Sequence, residues 1–156
     1  MNQRRIKEGL CVLVLLVFVL LLMTQDKESA ADPQAVFEAV QSAVDTEGLA
    51  VCKDERIKKE FGIDPRTFDY VGYLASDSIM EVREILLVHL SEESDEQTLL
   101  EKIRTRVDDK TELFSGYAPE QSGYLEKHEL LSRGGFVLFV VSDTPDAAVR
   151  AFKKAL

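Results

Sequence analysis

Cysteine is nearly absent from this chain of 156 residues, in which only Cys11 and Cys52 occur. Cys11 lies at the start of a long apolar run and Cys52 is alone in the remainder, so no disulfide framework is possible there. A cysteine with no histidine or asparagine in a recognisable arrangement beside it is more often a small buried residue than a nucleophile. We therefore expect neither a disulfide-stabilised fold nor a cysteine-dependent enzyme.

Tryptophan is absent, asparagine occurs only at Asn2, and histidine occurs only at His89 and His128. The lack of indole rings and the scarcity of amide groups count against a carbohydrate-binding module. His128-Glu129 begins like the zinc-protease motif H-E-x-x-H, but Ser132 stands where the second histidine is needed. We predict no catalytic residue, no metal site and no cofactor, and hence a protein that is not an enzyme.

Basic residues are too few to balance the acidic ones, and the net charge is −9. Arg4, Arg5, Lys7 and Glu8 contribute +2 at the start of the chain, which leaves −11 for the rest. Such a surface repels nucleic acid, and we predict no nucleic-acid partner. The acidic run at 91–96 lacks the alternating aspartates and the turn glycine of a calcium loop, so we expect it to favour the start of a helix.

One feature is abundant: residues 10–23 form the unbroken apolar run LCVLVLLVFVLLLM. Basic residues precede the run and acidic residues dominate after it, so the positive-inside rule predicts a cytoplasmic N-terminus and an exported domain. No cysteine lies just after the run, where a lipid anchor would need one, which argues against a lipid anchor. The run has no polar face, and we predict an uncleaved signal anchor that forms a single-pass membrane helix. Ser29-Ala30-Ala31 leaves one alternative open, a signal peptide that is cleaved near Ala31 and releases a secreted domain.

The expected division of the chain follows from this run. Residues 1–31 would comprise a cytoplasmic basic stub, the signal anchor and a short linker. Residues 32–156 would form a single extracytoplasmic domain, because their number suits one hydrophobic core and is too small for two ordinary domains.

Hydrophobic spacing in this domain predicts an α+β fold in the order α-α-ββ-α-ββ-α, with two antiparallel hairpins forming a roughly four-stranded sheet packed with helices. The expected helices are 33–45, 53–61, 94–116 and 145–156, and the expected strands are 68–76, 82–90, 124–132 and 136–142. Ser94 and Gln97 have the spacing of a capping box, and Gly134-Gly135 is typical of a tight hairpin turn. The segment around Ser122 is expected to be a solvated loop.

Several stretches of the chain resemble one bacterial family. They are KKEFGIDP, the pair Glu84-Ile85, ELFSGYAPEQ and GGFVLFVVSDTPDAAVRAFKKAL. In this order and spacing, over Pro33 to Leu156, they resemble the proteins grouped as domain of unknown function 4358. The resemblance implies export from a Gram-positive bacterium on a lipid anchor or a membrane helix, and it implies no activity and no site residue. This chain lacks the lipobox cysteine of lipoprotein-type members, which favours the membrane helix.

Taken together, these features predict a membrane-anchored extracytoplasmic domain that acts as a non-catalytic binding or accessory module of the cell envelope. The expected partners are the membrane, through the N-terminal helix, and a protein or a small molecule. Two alternatives stay open. One is a structural component of envelope assembly that pairs through a sheet edge or a helix face. The other is a hydrolase whose acidic active-site residues no short motif reveals.

Overall fold

The structure is a computed structural model that describes residues 29–92 and 94–156, together with Leu13. The predicted basic stub and, apart from Leu13, the predicted signal anchor at 10–23 lie outside the described residues. Within the described part of the chain, no helix combines the length and the apolar character needed to cross a membrane.

The described residues form five α-helices and a five-stranded antiparallel sheet. The helices are α1 Pro33–Gln41, α2 Asp54–Phe61, α3 Glu96–Ser115, α4 Pro119–Glu126 and α5 Pro145–Ala155. The strands are β1 Ala50–Val51, β2 Tyr70–Ala75, β3 Glu84–His89, β4 Glu129–Arg133 and β5 Phe136–Val141, and a 3₁₀ turn covers Pro65–Thr67. The predicted α+β class is confirmed, whereas the prediction of a four-stranded sheet is wrong by one strand.

The strands lie in the order β1-β2-β3-β5-β4, and each neighbouring pair is antiparallel. The register places the starts of β2 and β5 beside the end of β3, and the ends of β2 and β5 beside its start. We call the first side the hairpin end, because the Gly134-Gly135 turn lies there. We call the second side the loop end, because residues 76–83 connect β2 to β3 there. A six-residue strand separates the two ends by roughly 17–20 Å.

Helices cover both faces of the sheet. The apolar side chains of α1 and α5 pack on one face, and those of α2, α3 and α4 pack on the other. The interior strand β5 supplies both cores with alternating residues, so all of Phe136–Val141 is buried. This confirms the interpretation of FVLFVVS as an interior strand that is apolar on both faces.

The β4–β5 turn has the predicted geometry. Arg133 pairs with Phe136 across a two-residue connection, and Gly134 and Gly135 have φ values of 61° and 82°. Two consecutive residues with positive φ define the turn that best matches the twist of a hairpin, and glycine adopts this conformation without a steric penalty. The hairpin prediction is confirmed.

The start of α3 differs from the predicted capping box. Asp95, rather than Ser94, is the N-cap, and its carboxylate accepts hydrogen bonds from the backbone N–H and the hydroxyl of Thr98 at 3.1 and 2.6 Å. Ser94 instead accepts the backbone N–H of Ser91 at 2.9 Å and stabilises the loop before the helix. The capping motif is therefore shifted by one residue, because the adjacent aspartate offers the stronger acceptor.

The segment after α3 also differs from the prediction. Pro119–Glu126 forms α4, with the proline in the first turn, where its missing N–H has no consequence. Ser122 is only 5% exposed and Leu125 is fully buried, because a spacing of three residues places both on one side of a helix. The solvated loop around Ser122 and the strand beginning at Tyr124 are thus wrong, and β4 begins at Glu129.

The extra strand β1 is too short to produce a sequence pattern. It consists of Ala50–Val51, it pairs with the last two residues of β2, and both of its side chains are exposed. With no buried face, it lacks the alternation that identifies longer strands.

Candidate functional site

A buried carboxylate lies at the loop end of the sheet. Glu84, the first residue of β3, is only 1% exposed. Alternation along the strand places Glu84 on the face covered by α3, together with Leu86 and Val88. From α3, helical spacing aims Arg106 at the same face, and its side chain is only 8% exposed. The sheet and the long helix therefore bring two opposite charges together inside the core.

The contacts of Glu84 satisfy both carboxylate oxygens. Arg106 donates from Nη1 to Oε1 at 2.6 Å and from Nη2 to Oε2 at 2.8 Å, which is a bidentate ion pair. The hydroxyl of Tyr73 on β2 donates to Oε2 at 2.6 Å, and Lys110 Nζ lies 3.4 Å from Oε1. We call Tyr73, Glu84, Arg106 and Lys110 the ionic cluster.

Arg106 has two further contacts. Its Nη2 donates to Glu60 Oε2 of α2 at 2.9 Å, and its guanidinium lies 4.3 Å from the centre of the Phe61 ring. The Nε atom is buried and has no hydrogen-bond partner among the described residues. The guanidinium therefore joins α2, α3 and the sheet.

The protonation states of the cluster follow from these contacts. Burial acts to raise the pKa of Glu84, but the charges of Arg106 and Lys110 outweigh it and hold the pKa below its ordinary value of 4.5. Burial and the nearby charge of Glu84 raise the pKa of Tyr73 far above its ordinary value. At neutral pH, Glu84 is ionised and Tyr73 is protonated. A carboxylate held in this state cannot act as a general acid.

Two cavities border the ionic cluster. A shallow groove of about 650 Å³ runs between α2 and α3, and a narrower cleft of about 210 Å³ opens at the loop end. Glu60 and Lys110 line both of them, while Glu84 and Tyr73 line only the second. We call the second cavity the loop-end cleft, and Tyr73, Glu84 and Lys110 of the ionic cluster form part of its wall.

The loop that forms the opposite wall of this cleft is held by ion pairs. Arg56 of α2 contacts Asp77 at 2.7 Å, and Arg83 contacts Glu81 at 3.0 Å. The backbone N–H of residue 82 donates to Gln121 Oε1 of α4 at 3.0 Å. The 76–83 loop is thus joined to α2 near its start and to α4 near its end, and Arg83 pairs with Glu81 within the loop.

Large apolar side chains are exposed around the cleft. Ile79 is 88% exposed, Met80 50%, Leu113 62% and Tyr117 51%, and we call these four the apolar rim. Ile79 and Leu113 line the loop-end cleft itself. Among the described residues between 29 and 156, one other large apolar side chain is similarly exposed, that of Val51 in the short strand β1. The exposed apolar surface is therefore concentrated toward the loop end.

The two histidines considered from the sequence lie far apart. His89 lies at the hairpin end, where its ring stacks on Phe136 with 4.2 Å between centres. His128 precedes β4 at the loop end, and its Nδ1 lies 2.7 Å from the carbonyl oxygen of Leu125. In the described portion of the chain, no group of three histidine, cysteine or acidic side chains is arranged to hold a metal ion.

The lone cysteine of the domain is half-buried. Burial is the largest influence on the Cys52 thiol and raises its pKa, although the charge of Arg56 acts in the opposite direction. The thiol is therefore protonated at neutral pH, which agrees with its interpretation as a small packed residue.

Sequence reasoning did not identify the ionic cluster. A signal for the cluster is present in the sequence, because Glu84 begins a strand whose next four residues are apolar. Arg106 falls within the buried stripe of α3 beside Val107. Each position alone is compatible with an exposed residue near the end of a strand or on the border of a helix face. The pairing across 22 residues became apparent only from the structure.

The fold and this site define an α+β domain in which helices cover both faces of an antiparallel sheet and a buried ion pair borders an open cleft. Residues 42–142 match the family model of a domain of unknown function (DUF4358), and the chain belongs to this family. The resemblance noted from the sequence is thereby confirmed, and the matched range contains the whole ionic cluster. No curated protein and no solved structure matched the chain.

Proposed function

We propose that this chain is a membrane-anchored extracytoplasmic binding domain of the cell envelope, and that its loop end binds a protein partner without catalysing a reaction. The anchor is supported by the apolar run at 10–23 and by the basic residues that precede it. The binding role is supported by the arrangement of the loop end.

The observation that carries the binding role is the apolar rim. Large apolar side chains gain free energy when they leave water, and a contiguous group of them on a small acidic domain is a common mark of an interaction surface. Ile79 and Leu113 line one cleft, and Tyr117 packs against Phe114, another residue of that cleft, with 5.2 Å between ring centres. These residues therefore belong to one surface.

The shape of this surface favours a protein over a small molecule. Pockets for small ligands usually enclose about 300–1,000 Å³ and bury most of the ligand. The loop-end cleft has only about 210 Å³, and Ile79 projects beyond it with 88% of its surface exposed. A protruding apolar side chain is suited to a recess on a partner protein, where such anchors supply much of the binding energy.

The charges around the rim indicate a basic partner. Asp109 and Glu112 are exposed near Leu113 on α3, and neither makes an ion pair with any described residue. The basic side chains that line the cleft are already paired, because Arg56 pairs with Asp77, Arg83 with Glu81 and Lys110 with Glu84. We propose that the partner presents an apolar recess flanked by lysine or arginine.

The ionic cluster has a supporting role in this proposal. Glu84 and Arg106 are almost completely buried, so they hold the wall of the cleft in place without offering a free charge to a reactant. A fixed surface loses little conformational entropy when a partner binds.

Site-specific photo-crosslinking in cells that produce the full chain tests the proposal. A photoreactive amino acid at Ile79 or Leu113 should give a discrete crosslinked adduct in the membrane fraction. The same amino acid at the exposed hairpin-end positions Gln97 or Arg133 serves as the matched control and should give none. Charge reversal by Glu112→Lys should reduce the adduct formed from position 79.

Three outcomes would count against the proposal. Equal adducts at the two ends, or no adduct at the loop end, would contradict the binding surface. A full-length chain that remains soluble after cell fractionation would contradict the anchor and leave the binding surface as a separate question. The melting temperatures of Glu112→Lys and the parent are compared as a control. Equal values show that the variant loses the adduct for a reason other than unfolding.

A further inference from the structure

The chain enters the domain at the hairpin end. The backbone N–H of Ser29 donates to the carbonyl oxygen of Gly134 at 2.8 Å, and its hydroxyl donates to the carbonyl oxygen of Leu156 at 3.0 Å. Ala31 packs against the core between α1, α5 and the sheet, and its N–H donates to Ser29 Oγ at 3.2 Å. Residues 29–31 are thus bound to the folded body at a defined place.

The sequence limits the distance between this place and the apolar run. Five residues separate Met23, the last residue of the run, from Ser29. A chain of this length spans at most about 20 Å even when fully extended. If the run is a membrane helix, as proposed above, the hairpin end must therefore lie close to the bilayer surface.

Three basic side chains lie together at the hairpin end. Arg133 precedes Gly134 in the chain, and Lys153 and Lys154 lie just before Leu156. Because Ser29 contacts Gly134 and Leu156, these three exposed basic residues lie beside the tether. Anionic headgroups attract such a group of basic side chains.

Acidic residues lie at the hairpin end as well. Asp32 caps α1 on the side of the tether and Asp69 precedes β2, while two others lie on the opposite side of the sheet. Glu92 and Asp95 follow β3 and border α3, on the sheet face opposite to α1 and α5. The acidic loop end, with Asp109 and Glu112, is repelled by the same headgroups. Attraction beside the tether and repulsion at the opposite end favour one orientation.

We infer that the domain stands on the membrane with its hairpin end, where Arg133, Lys153 and Lys154 contact anionic headgroups, and that its loop end points away from the bilayer. This inference rests on the anchor of the proposed function and adds the surface that faces the lipid. It also explains why the apolar rim is exposed at the end where a partner from the aqueous side has free access.

Depth-dependent fluorescence quenching tests this orientation. The full chain, with Cys11→Ser and Cys52→Ser, is reconstituted into vesicles of phosphatidylcholine and phosphatidylglycerol that contain a nitroxide-labelled headgroup. A fluorophore is attached through Ala35→Cys near the hairpin end or Glu126→Cys at the loop end, both of which are exposed positions. Quenching at position 35 should exceed quenching at position 126 severalfold.

Charge reversal tests the contribution of the basic residues. The double variant Lys153→Glu with Lys154→Glu should reduce the difference in quenching between the two labels. The matched control, Lys127→Glu with Arg150→Glu, changes the net charge equally near the loop end and should preserve the difference. An undiminished difference in the first variant would overturn the contact between these lysines and the headgroups.

Sedimentation of the vesicles separates a failure of this inference from a failure of the anchor. Protein that sediments with the vesicles but is quenched equally at both labels, or more strongly at position 126, overturns the orientation alone. Protein that does not sediment with vesicles overturns the proposed anchor and the orientation with it. Greater quenching at position 35 in sedimented protein supports both.

Discussion

Replacing Glu84 by glutamine should destabilise the domain strongly. Glutamine keeps the shape of the side chain but removes the charge that compensates Arg106, whose side chain is only 8% exposed. Its other carboxylate partner, Glu60, has a side chain that is 27% exposed and therefore compensates the charge less effectively. Removing one partner of a buried ion pair typically costs about 3–5 kcal/mol, because the other charge is left in a medium of low dielectric constant.

The expected size of the effect can be narrowed. The glutamine carbonyl can still accept one hydrogen bond from Tyr73 or Arg106, so we expect the lower part of this range, about 3 kcal/mol. For a domain of this size that corresponds to a fall in Tm of about 10 °C. The measurement is urea unfolding of a fragment covering residues 29–156. The matched control is Glu101→Gln, an exposed carboxylate on α3, the helix that carries Arg106, and it should change stability by less than about 0.5 kcal/mol.

The effect should depend on pH in a definite direction. The pKa of Glu84 is lower in the folded state than its ordinary value of 4.5, so its ionised form stabilises the fold above about pH 4.5 and this contribution is lost as pH falls further. The difference between the parent and Glu84→Gln should therefore shrink when pH is lowered from about 7 toward about 3. A difference below about 1 kcal/mol at neutral pH, or one that is constant with pH, would refute the reasoning.

Other predictions follow from single contacts and are measured by thermal and urea unfolding. Tyr73→Phe should cost about 1.5–3 kcal/mol, because it removes a hydrogen bond to a buried carboxylate, and an unchanged Tm would contradict that bond. Gly72→Ala should destabilise by about 1–3 kcal/mol, because its Cβ would lie 2.8 Å from the Phe37 ring; a neutral effect would mean that the ring moves freely. Gly134→Val and Gly135→Val should each destabilise because valine resists positive φ, and two variants that melt like the parent would place the turn elsewhere.

Much of the fold could be predicted because its elements carry strong local signals. The buried positions of α3 recur every three or four residues, and the glycine pair marks a hairpin whose second strand is apolar throughout. By contrast, α4 is a short helix that opens with proline and has almost no apolar face, so its residues resemble a loop. The strand β1 has two residues, both exposed, and its existence depends on pairing with β2. Local sequence patterns do not predict elements that form only through contacts with distant parts of the chain.

The ionic cluster was unpredictable for a different reason. Glu84 belongs to a chain with 28 acidic residues, and sequence alone does not distinguish a carboxylate that faces the core from one that faces water. The distinction arises from the sheet register, which turns this strand position toward α3, and from the helix phase, which turns Arg106 toward the strand. The strand position that faces the core and the helix residue that faces the strand are decided only when the strand and the helix pack together.

The buried ion pair and the exposed apolar rim both affect how tightly the loop end could bind a partner. Fully burying a side chain such as isoleucine or leucine contributes about 1.5–3 kcal/mol, so a partner that covered Ile79 and Leu113 would gain roughly 3–6 kcal/mol from these two alone. Much of such a gain is usually lost when a mobile loop must become ordered. Here the loop that carries Ile79 is held by the Arg56–Asp77 ion pair, and the helix that carries Leu113 is joined to the sheet through the ionic cluster. These contacts constrain the surface before a partner binds, so part of the gain remains available for affinity. Arg56→Ala removes both the exposed ion pair with Asp77 and the hydrogen bond to the Ser76 carbonyl oxygen, and it should reduce the adduct formed from position 79 although Arg56 lies outside the apolar rim.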